Sequence, residues 1–387
     1  MYKDISGPAQ KRSGRALFLL TSDRMGGAER VTSTLAREAA SSQLFDGVDI
    51  FVLAWNRSGT LDQLESECNV RLHYAHASKQ YRGIGSLIRF VAKRRFAFVF
   101  GSATHLNALA SALRRLGLLR TNWLVTREST AIFERNFDGS GRLARVLYWF
   151  YGAQDLIVCQ TERMRLALSL KTRHRLDAKL TVIPNPIDAR RIEAARRAPP
   201  PVEILAIPPG RTLIVWCGRL SPVKSPTRAI EVLRLLHEGG LNSAHLVVIG
   251  DGPLRDEMTQ QVADAGLNDF VTFAGHQENP AVWMASAHLG LVTSDVEGFP
   301  NVILEMLGSG VPAIVTTDCA GELDQMPRTW LSPSTDPLAI SKTALAALGS
   351  ESPLDVDGYL EQRSPAAVLR DLMGSNYRQN PAAGLER

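Results

Sequence analysis

The chain has 387 residues, 45% hydrophobic and 21% charged, a makeup that provides for a substantial core and excludes a disordered or fibrous chain. Its formal charge of +5 names no partner. That total conceals an uneven spread: residues 1–197 hold 32 Lys/Arg and 17 Asp/Glu, a net of +15, and residues 198–387 hold 12 and 22, a net of −10.

The first predicted element is a buried strand over Ala16–Thr21, followed by a turn at Gly26-Gly27 and a helix from about Ala28 to Ala40. Val48–Ala54 reads as a second strand. Arg82–Arg95, RGIGSLIRFVAKRR, puts Ile84, Leu87, Ile88 and Val91 on one helical stripe with basic residues around it. Such a helix either lies on anionic lipid or packs its stripe on a sheet with a solvated outer face. Phe96–Gly101, Trp123–Thr126 and Leu156–Gln160 are further strands, and the Tyr148–Tyr151 aromatic run beside Arg142 and Arg145 carries the same ambiguity as the basic helix. Strands alternating with helices indicate a parallel sheet covered on both faces.

Seven prolines then fall within residues 184–210, which rules out a continuous helix or central strand there. Beyond them the alternation resumes: strands at Leu213–Cys217, Leu246–Gly250, Val271–Ala274, Leu289–Thr293 and Ala313–Thr316, and helices at Thr227–His237 and Leu254–Ala265. The expected organisation is α/β, two doubly wound domains. Residues 1–190 form the first, 191–210 a proline-rich linker and 211–350 the second, with 351–387 a partly mobile C-terminal segment.

Cys68, Cys159, Cys217 and Cys319 are widely spaced and form no C-x-x-C pair, so neither a disulfide scaffold nor a zinc ribbon is implied. His73 and His76 have no third ligand nearby, and the D-x-D at Asp355–Asp357 lies outside any strand–loop context; no metal is expected. The apolar run Ala16–Leu20 is too short for a signal-peptide core, and no run approaches the ~18 apolar residues of a spanning helix. The expectation is a cytoplasmic protein, soluble or attached at the inner membrane face. A basic half suits phosphate, nucleic acid or anionic lipid. The sequence contains neither a helix-turn-helix nor an RNA-binding aromatic motif, which disfavours nucleic acid.

In open parallel sheets, ligands bind beyond the carboxyl ends of the strands, so the loops there carry the candidate chemistry. In HLGLVTSDVEGFPNVILEMLGSGVPAIVT, residues 288–316, a strand leads into a loop with Glu297-Gly298-Phe299-Pro300. A helix then begins near Asn301 and carries Glu305 about one turn in. Backbone N–H groups at such a helix start can cradle phosphate. In IVWCGRLSPVK, residues 214–224, a strand delivers Gly218 and Arg219, with Lys224 five residues on. A planar guanidinium and a mobile ammonium together suit a diphosphate. In SDRMGGAER, residues 22–30, Gly26-Gly27 admits close backbone approach to a ligand, but the spacing is not a dinucleotide fingerprint.

With Ile183-Pro-Asn-Pro-Ile-Asp188 and Val248-Ile-Gly-Asp-Gly-Pro253, these segments resemble the retaining GT-B glycosyltransferases of family 4, from Ala16 to about Leu323. The resemblance implies twin Rossmann-like domains facing a cleft. It also implies a nucleotide-sugar donor in the C-terminal domain and an acceptor in the N-terminal one, with front-face transfer that uses no metal or other cofactor. By position, Arg219 and Lys224 look like the pair that holds the donor diphosphate, and Glu297 and Glu305 like the two acids of the E-x7-E motif, beside the sugar and on the ribose. The resemblance further implies backbone contacts from Gly298, Phe299, Pro300, Asn301 and Val302, an approach to the phosphates by Gly27, and a border to the base from Gly250, Gly252 and Gly275. Relatives often place Gly or Asn after the diphosphate lysine, where this chain has Ser225-Pro226. Arg127 and Glu128 are acceptor-side candidates, and His105 is either a third or a satisfied buried histidine.

The expected activity is hexosyl transfer from a donor, expected to be UDP-linked, to a glycan or polyprenyl-diphosphate-linked glycan in exopolysaccharide or surface-glycan synthesis, with an anionic membrane surface as a further partner. The alternatives are a nucleotide-sugar epimerase on the same twin fold and a catalytically silent glycan-binding homologue.

Overall fold

The computed structural model describes residues 13–374 except Met25, 54–56, 58, 67–69, 76–79, 131–139 and 351–353. Cys68 and His76 lie outside the described residues, as does 375–387. The chain divides into two compact units: Met1–Pro186 with Arg363–Arg387, and Ile187–Gln362.

In the first unit the order of elements is β1 (Arg15–Leu20), α1 (Gly27–Ser41), β2 (Val48–Val52), α2 (Asp62–Glu65), β3 (Val70–Tyr74), α3 (Gln80–Ala92), β4 (Arg95–Gly101), α4 (Thr104–Arg115), β5 (Arg120–Arg127), α5 (Ser140–Trp149), β6 (Leu156–Cys159), α6 (Glu162–Lys171) and β7 (Leu180–Val182). The described strands form one parallel sheet ordered β3-β2-β1-β4-β5-β6-β7. The central strands are apolar on both faces because helices cover both: Leu17, Phe18, Phe98 and Phe100 are fully buried. On the α3 side the stripe expected from the sequence is spent on the sheet, Leu87 and Val91 each being 1% exposed, while Arg89 and Lys93 face solvent. The ordinary packed helix is therefore the outcome for Arg82–Arg95.

The second unit contains α7 (Ala189–Arg196), α8 (Val202–Leu205), β8 (Thr212–Cys217), α9 (Thr227–Glu238), β9 (Ala244–Ile249), α10 (Arg255–Asp264), β10 (Val271–Gly275), α11 (Ala281–Met284), β11 (Leu289–Val292), α12 (Asn301–Gly308), β12 (Ile314–Thr316), β13 (Thr329–Leu331), α13 (Pro337–Leu348) and α14 (Val356–Glu361). Its parallel sheet is ordered β10-β9-β8-β11-β12-β13. The proline-rich stretch belongs to this unit: Ile187, Ile192, Ala195 and Ile204 join its core. The prolines delimit short helices, with Pro201 at the start of α8 and none inside α7.

Helix α15 (Pro365–Met373) returns to the first unit and packs on α1, with Val368, Leu369, Leu372 and Met373 buried in the core. Trp123 Nε1 donates to the Leu372 carbonyl at 2.9 Å. The C-terminal segment thus supplies core to the half of the chain farthest from it in sequence, although its nine helical residues are too few for their periodicity to stand out.

Each such side chain contributes about 1.5–3 kcal/mol when fully buried. A chain ending at Gln362 is therefore expected to expose the α1 face and show strong binding of a hydrophobic dye with loss of the first unit's cooperative unfolding. An unchanged unfolding profile would contradict this packing.

Candidate active site

Ligands of doubly wound sheets bind where the strand order reverses. In the second unit that point lies between the hydrogen-bonded neighbours β8 and β11, from which the chain leaves in opposite directions. The loop after β8 carries Arg219 and Lys224, and the loop after β11 carries Glu297.

The β8 loop ends in a short 3₁₀ turn, Pro222–Lys224, closed by Ser225 at φ 44° and ψ 52°. This is the left-handed region that Gly and Asn enter most cheaply, so Ser225 holds a conformation that its side chain must support. Ser225 Oγ donates to Asp295 Oδ2 at 2.7 Å, a bond neither Gly nor Asn reproduces in the same way. The turn sets Lys224 Nζ 2.5 Å from Glu297 Oε2. The two side chains are 28% and 11% exposed, sheltered enough to strengthen their attraction over that of a surface pair yet reachable by a solute.

The carboxylate is held from other sides as well. Ser294 Oγ donates to Glu297 Oε1, and the Glu297 N–H donates to the Cys319 carbonyl at 2.8 Å. Thr293 Oγ1 donates to the carbonyls of Lys224 and Ser225, at 3.0 and 2.8 Å, and accepts from Trp216 Nε1. Arg228 donates to the Thr293 carbonyl at 2.6 Å and to Asp295 at 2.9 Å. The sequence pattern does not single out Thr293, Ser294, Asp295 or Arg228; the only signal is the polar T-S-D run closing an apolar strand. Burial and the neighbouring Glu297 push the Cys319 thiol up to about 12, so it remains protonated and unreactive at neutral pH.

Around this pair the other predicted residues take different places. Arg219 is exposed and forms no ion pair among the described residues. Glu305 is half-buried, the fifth residue of α12, and Pro300 begins that helix without a side-chain cap. Phe299 and Val302 are partly buried and pack their side chains against the core. Gly250 and Gly252 have φ of 136° and 159°, and a Cβ on them would stand 1.9 Å from the Gly218 carbonyl oxygen and 2.4 Å from that of Leu220. These two glycines are thus required by the close passage of the β8 and β9 loops. Gly250 N donates to the Gly275 carbonyl at 2.7 Å, and Gly275, at φ 68°, has open space where its Cβ would be.

The first unit has its own reversal point between β1 and β4. Gly26 and Gly27 open α1 just after β1, and His105 lies in the first turn of α4 just after β4; all three are exposed. His105 is open to solvent on one side, while partial burial of its ring lowers its pKa from the usual histidine value. Arg127 and Glu128, at the end of β5, are 4% and 1% exposed and engaged within the unit. Arg127 donates through Nε to Asn185 Oδ1 at 3.1 Å and through Nη1 to Ser102 Oγ at 2.8 Å, and its burial lowers its pKa to about 10. Glu128 accepts from Tyr148 at 2.6 Å, Tyr151 at 2.7 Å, and Thr104 and Asn107 at 3.1 Å each. Asn185 of the I-P-N-P-I-D segment also donates to Gln160 at 2.8 Å, so this motif braces the end of β5. The D-x-D acid Asp355 caps α14, accepting from the Asp357 N–H at 3.1 Å.

A Cβ at 1.9 Å from a carbonyl oxygen cannot be accommodated without moving backbone. Gly250→Ala is expected to cost about 3 kcal/mol, against about 1 kcal/mol for Gly275→Ala, where only the positive φ is strained. Denaturant unfolding of the two variants checks the order; equal losses would contradict it.

Residues 25–191 match the family model described as Glycosyltransferase Family 4, and residues 211–350 match the one described as Glycosyl transferases group 1. The chain is 32% identical over 167 residues to a GDP-mannose-dependent alpha-(1-6)-phosphatidylinositol dimannoside mannosyltransferase of Mycobacterium tuberculosis, covering 43% of this chain and 42% of the relative. It is 26% identical over 186 residues to the lipopolysaccharide core biosynthesis glycosyltransferase LpsE of Rhizobium meliloti, covering 47% and 51%. The aligned parts span about half the length of these relatives. Among solved structures, Anabaena HepE in complex with UDP-glucose superposes with a TM-score of 0.73 at 17% identity, covering 94% of this chain and 99% of that one. WaaG, a glycosyltransferase involved in lipopolysaccharide biosynthesis, superposes with a TM-score of 0.65 at 14% identity, covering 95% and 97%. With a family model on each unit and the whole fold shared with these structures, the chain belongs to the group 1 and family 4 glycosyltransferases of the GT-B fold.

Proposed function

We propose that the protein transfers a hexosyl group, with retention of anomeric configuration, from a UDP-linked sugar to a glycan acceptor. The observation that carries this reading is the Lys224–Glu297 pair, held across the reversal point of the group 1 domain. When the sugar–phosphate bond breaks, negative charge grows on the departing diphosphate. Lys224 and the exposed Arg219 are the cations placed to neutralise it, in the role that a divalent ion fills in other transferases. The first N–H groups of α12 add a favourable dipole for the same phosphates. Glu297 lies beside the donor sugar, its orientation fixed by Ser294 and Lys224, and Glu305 takes the ribose hydroxyls. Phosphate binding draws Lys224 partly away from Glu297, so donor binding and the charge state around the acid are linked.

HepE, solved with UDP and with UDP-glucose, supports uridine as the base. The acceptor half is the basic one, which suits a polyprenyl-diphosphate-linked glycan of exopolysaccharide or surface-glycan assembly, reached at the inner face of a membrane. Among the described residues no helix is long and apolar enough to cross one. Exposed His105 serves on the acceptor side, and Arg127 and Glu128, buried at the end of β5, act there as positioning residues.

Glu297→Gln is expected to lower kcat/KM by about 10²–10⁴-fold with the fold intact. Lys224→Ala is expected to do the same and also to cost about 1–3 kcal/mol of stability, because it leaves a sheltered carboxylate without its counter-ion. Transfer assays over a panel of donors and acceptors, with circular dichroism as the control for folding, test both. Near-normal turnover in either variant would overturn the site, and conversion of a UDP-sugar without acceptor would overturn transfer in favour of epimerisation.

A further inference from the structure

Two acids lie close together on the loop after β11, and they hold different partners. Glu297 meets Lys224 and Ser294. Asp295 turns instead to the stretch of chain that carries Lys224. Its N–H donates to the Val223 carbonyl at 3.1 Å. Its carboxylate accepts from Ser225 Oγ at 2.7 Å and from Arg228 Nη2 at 2.9 Å. Val223 and Ser225 flank Lys224 in the chain. One residue thus grips the turn immediately before and immediately after the lysine, on the same loop as the acid that the lysine meets.

The points it grips depend on it. Ser225 is left-handed, at φ 44°, which costs a residue with a Cβ unless something supports it. Its hydroxyl has a single proton. The Asp295 carboxylate at 2.7 Å takes that proton in preference to the Pro222 carbonyl at 3.1 Å, because a charged acceptor makes the stronger bond. Arg228 is the second residue of α9, at the helix end where the dipole disfavours a cation. Asp295 pairs with it there, and Arg228 Nη1 donates to the Thr293 carbonyl at 2.6 Å. The two side chains are 19% and 39% exposed, so as an ion pair alone they would add little stability. Their bonds instead tie the end of β11, the start of α9 and the turn between them into one unit. Lys224 carries its ammonium on a flexible four-carbon stem, so the direction of that turn decides where the charge can reach.

We propose that Asp295 is a positioning residue for transfer: acting through Ser225, it fixes the turn that aims Lys224 at the departing diphosphate. Its effect is carried by Lys224 and not by a contact of its own with sugar or phosphate. This deepens the reading of Lys224 given above and rests on it.

Transfer kinetics and urea unfolding are measured on Asp295→Ala, Asp295→Asn and Ser225→Gly, and on Asp295→Ala combined with Ser225→Gly or with Lys224→Ala. Asp295→Ala is expected to lower kcat about tenfold and to change the donor KM less than about threefold, because a misaimed lysine is felt most where charge develops. Asp295→Asn, whose amide oxygen still accepts from Ser225 Oγ, is expected to stay within about threefold of wild type. Glycine takes the left-handed turn unaided. Asp295→Ala should therefore cost less than about threefold in kcat when added to Ser225→Gly, and less than about twofold when added to Lys224→Ala. The same rescue is expected with no donor present: Asp295→Ala lowers the urea midpoint more in the Ser225 chain than in the Ser225→Gly chain. Wild-type kcat in Asp295→Ala, equal losses in the alanine and asparagine variants, the full loss in either double variant, or equal urea shifts in both backgrounds would overturn the proposal and leave transfer by an active wild type standing. A wild type without transfer activity would overturn the transfer reading and this role with it, whatever the urea cycle gives.

Discussion

The reversal of strand order beside β8 is the constraint on which the rest of the second unit depends. A parallel sheet built outward in both directions from one strand leaves a gap between the loops of the two central strands, and side chains on those loops meet there although they are far apart in sequence. Lys224 and Glu297 are 73 residues apart and 2.5 Å from each other. The pairing is not left to two flexible side chains. A left-handed serine ends the 3₁₀ turn that carries Lys224, and Thr293 fastens the backbone of that turn to the strand end preceding Glu297. A positive charge is thereby installed next to an acid inside the more acidic half of the chain.

The first unit solves a different problem. It buries Arg127 and Glu128 side by side in sequence at the end of β5, and gives each a separate set of neutral partners. Buried charges are costly unless fully hydrogen-bonded, and Asn185, Tyr148 and Tyr151 supply those bonds. The result is a strand end braced from α4, from the end of α5 and from Asn185. The same packing that turns Tyr148 and Tyr151 inward forces Trp149 and Phe150 out, so the polar brace of the strand end and these exposed aromatics are two consequences of one helix.

The central strands were legible in the sequence because they are continuous apolar runs, buried on both faces. The strands it does not reveal, β3, β7 and β13, are all sheet edges. They are three to five residues long and half-buried, with polar residues such as Arg71, His73 and Thr181 that break the apolar run. At the site, Arg219, Lys224, Glu297 and Glu305 stand out by residue type and by their place after strands. Ser294, Thr293 and Arg228 do not, because a hydroxyl that braces a loop has no spacing of its own. For the same reason the glycines at 250 and 252 were visible as glycines, while their cause, a neighbouring carbonyl where a Cβ would be, exists only in three dimensions. The direction in which the stripe of α3 and the aromatics of α5 face was likewise open in the sequence and is decided by packing.

The most direct measurement is a crystal structure of the protein with UDP bound. The account predicts the diphosphate within hydrogen-bonding distance of Lys224 and Arg219, at the start of α12 and between the loops of β8 and β11. A nucleotide bound elsewhere on the second unit, or one that leaves the Lys224–Glu297 pair untouched, would contradict it.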